Sequence, residues 1–515
     1  MRETLPEGGE KRRRRGAPAG QPVRSVDYHR LRNPFPPVAV FSEDRVAAIH
    51  AASLQVLEEL GIRVLLPEAR AILARAGAIV DDDSQMVRIG RDLVAAAVQS
   101  APKSFTLKGA VPARDLAMEL GTLSFQSGAG APNVTDRLRG RRPGTLRDVI
   151  ELTKMVQHFD AIQMLSPGVE PQDIDPARRH YAFTRAQLTL SDKIPFVFSR
   201  GSPQVADSFA MLRLFRGLDA DAFAAAPHCY TIINTNSPRQ VDIPMAQGLI
   251  DFARAGQLAI VTPFCLMGAM APVTVAGALT LSHAEALAGI VLNQMARPGA
   301  PVLYGAFASN VDMKSGAPAF GTPEQVKASL GAGQLARHLG LPWRSAAGCA
   351  ANIDDAQAAH ETQMSTWGAM LAGATVIIHA AGWIEGGLAV SYEKFITDME
   401  MVQTLAELCR PTPADDADIA FDALAEVAPG GHFFGAAHTL ERYASAFYPP
   451  LVADWSNFGT WTERGGLDAS QRATGLWQRI VEGHRRPESV AEDRIAALDA
   501  FIARREAEGG AAPES

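Results

Sequence analysis

The chain has 515 residues, of which 47% are hydrophobic and 20% charged, enough apolar material for a large core and too much for global disorder. Lys and Arg number 49 against 56 Asp and Glu, a net charge of −7, which argues against a nucleic-acid partner. The four cysteines, Cys229, Cys265, Cys349 and Cys409, form no CxxC pair, so neither a disulfide framework nor a structural metal site is expected.

Lys11 to Arg15 form a basic run followed by Gly and Pro, where a twin-Arg export signal would place an apolar stretch. Residues 1–36 read as a disordered basic tail, or as an anchor for an acidic partner. The last residues, GGAAPES, read as a loose end. Apolar runs are interrupted before the roughly 18 residues a membrane span needs, so no membrane is expected and the chain is placed in the cytoplasm.

Between 42 and 61, Val46, Ile49, Val56, Leu57 and Leu60 fall on one helical stripe, and Gly61 suits the position after the helix. Further helices are predicted at 67–75 and 90–100, and short strands at 104–108 and 122–126. Residues 37–145 therefore read as an N-terminal α+β segment.

From 146 short apolar runs alternate with helical stretches. The runs are 161–166, 194–199, 229–234, 258–262, 301–307, 342–348, 375–380 and 388–392. Helical periodicity fills 177–190, 203–216, 244–255, 280–296, 323–339 and 355–371. This alternation predicts an α/β fold, a (β/α)8 TIM barrel over 146–425, with a C-terminal helical extension at 426–515. The last run follows its predecessor at short range. Neither a G-x-G-x-x-G fingerprint nor a Walker A loop is present.

In such a fold the reacting groups lie where the strands end. Those positions hold Asn234 to Pro238, Phe264 and Cys265, Tyr304, Phe307, Cys349, Gln357, His360 and Glu361, His379, Trp383 and Glu385, and Tyr392. Aromatic side chains mix there with carboxylates and few basic residues, the pattern a cationic ligand wants. His360 and Glu361 are adjacent, so on a helix they point about 100° apart and share no metal ion. His379 ends an apolar strand and suits either a functional or a structural role. Cys265 and Cys349 are nucleophile candidates or small core residues.

Several ordered blocks carry a resemblance. They are FSEDRVAAIHAASLQVLEELGIRV at 41–64, the stretch from Tyr304 through DMKSG at 312–316 to FGTPE at 320–324, DAQAAHE at 355–361 and HAAGWIEGGLAVSYEKF at 379–395. Together they resemble the trimethylamine methyltransferase family, with similarity from about 41 to 468. The resemblance implies a TIM barrel that moves a methyl group from a methylated amine to the cobalt of a separate corrinoid protein. The chain reads through the barrel with standard residues only. It is thus similar to the branch without pyrrolysine, some of whose members demethylate quaternary amines such as glycine betaine.

On that basis Phe264, Tyr304, Phe307, Trp383 and Tyr392 are candidate cage aromatics, each worth about 0.5–2 kcal/mol as a cation–π contact. Glu361 and Glu385 are candidate counter-charges. Asn234, Gln357 and His379 are candidates for the polar tail of the substrate. A quaternary amine leaves without protonation, so no general acid is assigned. The chain itself is expected to hold no cofactor, the corrinoid arriving on a small partner protein, and to form a homo-oligomer. The aromatic flank at 431–450 suits a docking rim, a subunit interface or a packed cap. The competing readings are an amine-binding barrel without catalysis and a lyase-type barrel enzyme using His379 as base.

Overall fold

Runs such as LAIV at Leu258–Val261 are apolar at every position. In the computed structural model, which describes residues 27–514, all four of these side chains are fully buried. That is the signature of a parallel strand covered on both faces. A seven-stranded sheet runs in the order Leu31–Arg32, Thr122–Phe125, Val376–Ile378, Trp343–Ala346, Val302–Gly305, Leu258–Val261, Tyr230–Ile233. Only Leu31–Arg32 is antiparallel to its neighbour; the other pairings are parallel, with Ile233 opposite Val261, Val261 opposite Tyr304 and Tyr304 opposite Trp343. Isolated parallel bridges join Gln126 to Met164, Met164 to Ile194, and Phe196 to Tyr230.

The crossover helices start and stop where local chemistry dictates. Asp242, Thr274, Thr322, Asp355 and Ser391 each accept a backbone N–H of the first turn of the helix they precede. Gly256 and Gly340 close two of them in the left-handed conformation. Val275–Ala296 corrects one expectation: it is an uninterrupted helix of 22 residues, within which an apolar 18-residue window has a mean hydropathy of 1.6. Its apolar window is 72% buried inside the protein, so the length that would suit a membrane is here spent on the core.

Two further expectations change. The run at 388–392 does not join the large sheet: Ala389–Ser391 pairs with Asn133–Thr135 and Trp383–Ile384. A parallel neighbour needs a crossover of a dozen residues or more, and the gap after Val376–Ile378 is too short for one. Its place beside Val376–Ile378 is taken by Thr122–Phe125, a strand expected to belong to the segment 37–145. Thr122 and Ser124 disguise that strand, yet all four of its side chains are buried.

Among the described residues the chain divides into two compact units, Tyr28–Arg410 with 450–514, and Pro411–Pro449 with Asp27. The basic run at Lys11 to Arg15 lies outside the described residues, whereas Leu31–Arg32, expected within a disordered tail, is a paired strand. Within the second unit are short helices at Asp416–Ile419, Phe421–Glu426 and Ala437–Arg442, and Phe421, Phe434, Tyr443 and Phe447 are exposed in and between them. In the first, helices Ala469–Glu482 and Glu492–Ala507 form the C-terminal part. The expected loose end is instead hydrogen-bonded: the Ala511 N–H donates to the Ala177 carbonyl and the Glu514 N–H to that of Arg200.

Behind the strand Val302–Gly305 lies a histidine chain. His283 Nδ1 is 3.1 Å from the Tyr304 hydroxyl and its Nε2 is 2.9 Å from His50 Nδ1; the His50 and His338 rings are 4.9 Å apart. Burial holds the pKa of His283 well below the usual imidazole value, and burial followed by the nearby His338 lowers that of His50. Both therefore fold neutral, while the unfolded chain takes up protons on them below about pH 6.5. Their contribution to stability is intact above that pH and is lost as pH falls through it. Chemical denaturation between pH 7.5 and 5.5 should show His283→Gln with a shallower loss than the native chain; equal slopes would dismiss the histidine chain as the source.

Candidate functional site

The ends of the parallel strands converge on a cavity of about 600 Å³. Most strands deliver their contribution at or just past their ends, and Arg344 comes from within its strand. Phe196 and Phe198 follow the bridge at Ile194. Asn234 to Ser237 follow Tyr230–Ile233; Phe264 and Phe307 open the extensions Phe264–Met267 and Phe307–Val311. Arg344 comes from Trp343–Ala346, and His379 and Trp383 follow Val376–Ile378.

Aromatic rings form the wall. Phe264 and Phe307 are paired in register with ring centroids 5.0 Å apart. Trp383 stacks on His379 at 4.6 Å, and Phe307 lies 5.6 Å from His379 and 6.1 Å from Trp383. His379 holds a positive φ of 60°, a conformation costly for a residue with a Cβ, which turns its ring into the cavity lining. Burial, then the charge of Arg344, pushes its pKa well below the usual imidazole value. Its Nδ1 is buried and has no hydrogen-bond partner.

The charges are the reverse of the expected ones. Among the described residues no aspartate or glutamate lines the cavity; its charged side chains are Arg200 and Arg344. Arg200 pairs with Glu170 at 2.6 Å. Arg344 is 2% exposed, and its Nε and Nη1 are buried without a partner. Its guanidinium carbon lies 5.3 Å from the centre of the Phe307 ring. Burial pulls its pKa down to about 9. A buried guanidinium without a carboxylate is costly by several kcal/mol, so this is a position poised for an anionic ligand group.

Of the sequence candidates, Asn234, Phe264, Phe307, His379 and Trp383 meet at this cavity. The others do not line it. Tyr304 points to the opposite side of its strand, onto His283. Gln357 donates to Glu361, whose other oxygen accepts the N–H groups of Ala350 and Ala351 at 2.7 and 3.0 Å; both shape the loop after Trp343–Ala346. Glu385 forms an ion pair with Arg141 at 2.9 Å. The Tyr392 hydroxyl donates to Asp148 and Glu151, and its ring packs on Trp477. Cys265 and Cys349 are buried, which pushes both thiols up to about 12; protonated at neutral pH, they are core residues rather than nucleophiles.

Phe196, Phe198, Arg200 and Arg344 were not singled out in the sequence. Arg344 did leave a signal, as a lone charge inside the apolar run at 342–348. Another buried carboxylate, Glu285, shapes the rim without lining it: it accepts from the Thr235 and Ser237 hydroxyls at 2.6 Å and from the Arg239 N–H at 2.7 Å. No group of three His, Cys, Asp or Glu residues is placed to hold a metal ion among the described residues.

An aromatic cavity with an unpaired cationic floor, sited at strand ends, has the form of a small-molecule binding site. A family model described as trimethylamine methyltransferase matches residues 7–510, and the chain belongs to that family. It is 34% identical to a glycine betaine methyltransferase of Desulfitobacterium hafniense, over 92% of this chain and 99% of that one. It is 30% identical to a trimethylamine methyltransferase of the same species, over 92% and 95%, and 28% identical to one of Methanosarcina mazei, over 90% and 94%. Among solved structures, a monomethylamine methyltransferase of Methanosarcina barkeri aligns over 90% of this chain and 92% of its own, with a TM-score of 0.44 and 9% identity. The expectation of an amine methyltransferase of the corrinoid-dependent kind is met.

Tyr304→Phe and Glu385→Gln should leave substrate affinity within about twofold of the native value, since neither side chain reaches the cavity. Trp383→Ala should weaken it by about 0.5–2 kcal/mol, the worth of one cation–π contact. Calorimetric titration checks all three, and an unchanged Trp383→Ala would remove that ring from the site.

Proposed function

We propose that the chain demethylates a zwitterionic quaternary amine, a betaine such as glycine betaine, and passes the methyl group to the cobalt of a corrinoid carried by a separate protein. The observation that carries this reading is the buried, unpaired guanidinium of Arg344 below a ring of aromatic side chains. A bare ammonium ion would meet uncompensated positive charge there. A betaine brings its own carboxylate. With that group on Arg344, the ammonium comes to rest among Phe264, Phe307 and Trp383, and an N-methyl faces the cavity opening.

The fold is read as a closed (β/α)8 barrel. The support is the run of parallel pairings from Tyr230–Ile233 to Thr122–Phe125, together with the bridges through Met164, Ile194 and Phe196 that link its two ends. A rigid floor then fixes the ammonium relative to the mouth, which is the positioning such a transfer needs.

When docked, the corrinoid supplies a reduced cobalt nucleophile for the methyl carbon. The carbon–nitrogen bond would break with its electron pair going to nitrogen as the methyl carbon bonds to cobalt, so the dimethylamino product leaves with a neutral nitrogen and keeps its negative carboxylate. No side chain has to deliver a proton. His379, kept neutral by burial and by Arg344, offers a ring face and a free acceptor without adding a second positive charge. The aromatic walls limit water around the ammonium, which strengthens its interactions.

Calorimetry with glycine betaine and choline tests the reading. Arg344→Ala should weaken betaine binding by about 2–4 kcal/mol, the cost of losing a charged hydrogen-bonding partner, while binding of choline, which lacks a carboxylate, stays level or improves. Native affinity for betaine should hold at neutral pH and decline as pH rises through about 9, where Arg344 loses its proton. Full betaine affinity in Arg344→Ala would overturn the assignment.

A further inference from the structure

The loop carrying Phe198 and Arg200 is tied to the far end of the chain. Helix Glu492–Ala507 ends in Gly509 and Gly510, both at positive φ, and the backbone turns back. The Gly510 N–H donates to the Arg505 carbonyl at 2.9 Å, and the Ala511 N–H to the Ala177 carbonyl at 3.1 Å. The Ala511 carbonyl accepts from Gln204 Nε2 at 2.8 Å; Gln204 is 2% exposed. The Glu514 N–H then donates to the carbonyl of Arg200 itself at 3.0 Å.

This contact is fitted. Gly201 has a φ of 112°, and a Cβ there would come within 2.8 Å of Glu514 Cγ. The helix before the turn is held by Arg505 to Asp207, at 3.0 Å, and by Arg185 to Asp499, at 2.6 Å. On the cavity side, the Arg200 guanidinium lies 4.8 Å from the centre of the Phe198 ring and is paired with Glu170. Glu170 also holds Arg179 at 2.6 Å. One face of the loop thus lines the cavity, while the other is hydrogen-bonded to the strap.

We infer that the strap Gly509–Glu514 is a positioning element of the active site, holding loop 199–201 so that Phe198 and Arg200 keep their place on the cavity wall. The strap acts through the main chain of Arg200. With the strap released, the loop keeps its side-chain contacts and the Val205 N–H on the Gly201 carbonyl, but the Arg200 carbonyl loses its partner and the loop can drift from the wall. Substrate binding should suffer more than the chemical step, because the ammonium wall at Phe264, Phe307 and Trp383 belongs to other strands. The inference rests on the cavity being the substrate site.

The test is a chain ending at Gly509, alongside the full-length variant Gln204→Ala, which cuts one anchor and keeps the strap. Both are assayed for betaine-dependent methyl transfer to the corrinoid protein, for amide hydrogen exchange at 199–201 and for thermal unfolding. Faster exchange confined to the loop, with KM raised about tenfold and kcat held within about twofold, is the expected result. In an Arg200→Ala background the truncation should add little further to KM, since the two changes act on one element. Unchanged KM with native exchange in both variants would overturn the inference, as would a uniform loss of stability with KM and kcat falling together. Faster loop exchange with unaltered KM would show a strap without an active-site role and likewise overturn it. The substrate reading fails separately, through Arg344→Ala, and leaves the exchange result standing.

Discussion

A guanidinium buried without a partner is the constraint around which this molecule is arranged. Arg344 sits in a parallel strand whose neighbours bury their side chains fully, and its Nε and Nη1 find no acceptor. Left in that state it opposes folding by several kcal/mol, a cost that only a large apolar sheet can absorb. The sheet does so with strands such as Leu258–Val261, all at zero exposure. On the proposed reading, stability stored in the core is thereby made available as affinity for the substrate's carboxylate.

The carboxylates near the cavity work on the backbone instead. Glu361 accepts two N–H groups of the loop after Arg344's strand. Asp398, paired with the buried Lys394 at 2.5 Å, accepts the Gly382 N–H beside Trp383. Glu285 gathers Thr235, Ser237 and Arg239. Asp398 and Glu285 each spend acceptor capacity on a loop that carries a lining residue, Trp383 in one case and Thr235 and Ser237 in the other. Negative charge is thus kept one layer back from the ligand, where it fixes geometry without competing with the ligand for Arg344.

This layering explains what could be read from the sequence. Alternating runs and helical stretches predicted the α/β order because each strand is buried on both faces, and the Asp, Thr and Gly caps stand where the periodicity stops. Phe264, Phe307 and Trp383 were legible because they stand at or just after the ends of apolar runs. Glu361 and Tyr304 misled for a geometric reason: a strand or helix end presents side chains to two sides, and sequence position does not say which. Tyr304 follows the alternation of its strand onto His283, while Arg344, on the next strand, carries the charge of the site. The run at 388–392 misled because composition records burial but not pairing. Its residues are buried in a small sheet with Asn133–Thr135, and the place in the large sheet went to Thr122–Phe125, a strand whose Thr and Ser conceal its burial.

The same charge arrangement bears on direction as well as affinity. In a cavity with aromatic walls and no charge, a small quaternary ammonium has no reason to prefer one methyl over another, since cation–π attraction is broad in angle. A fixed cation at the floor removes that freedom for a zwitterion. The carboxylate is drawn inward and the ammonium is pushed outward, and both forces act along one axis. The methyl groups are then presented to the opening in a set orientation before any partner arrives, at the cost of a charge that the fold alone leaves uncompensated.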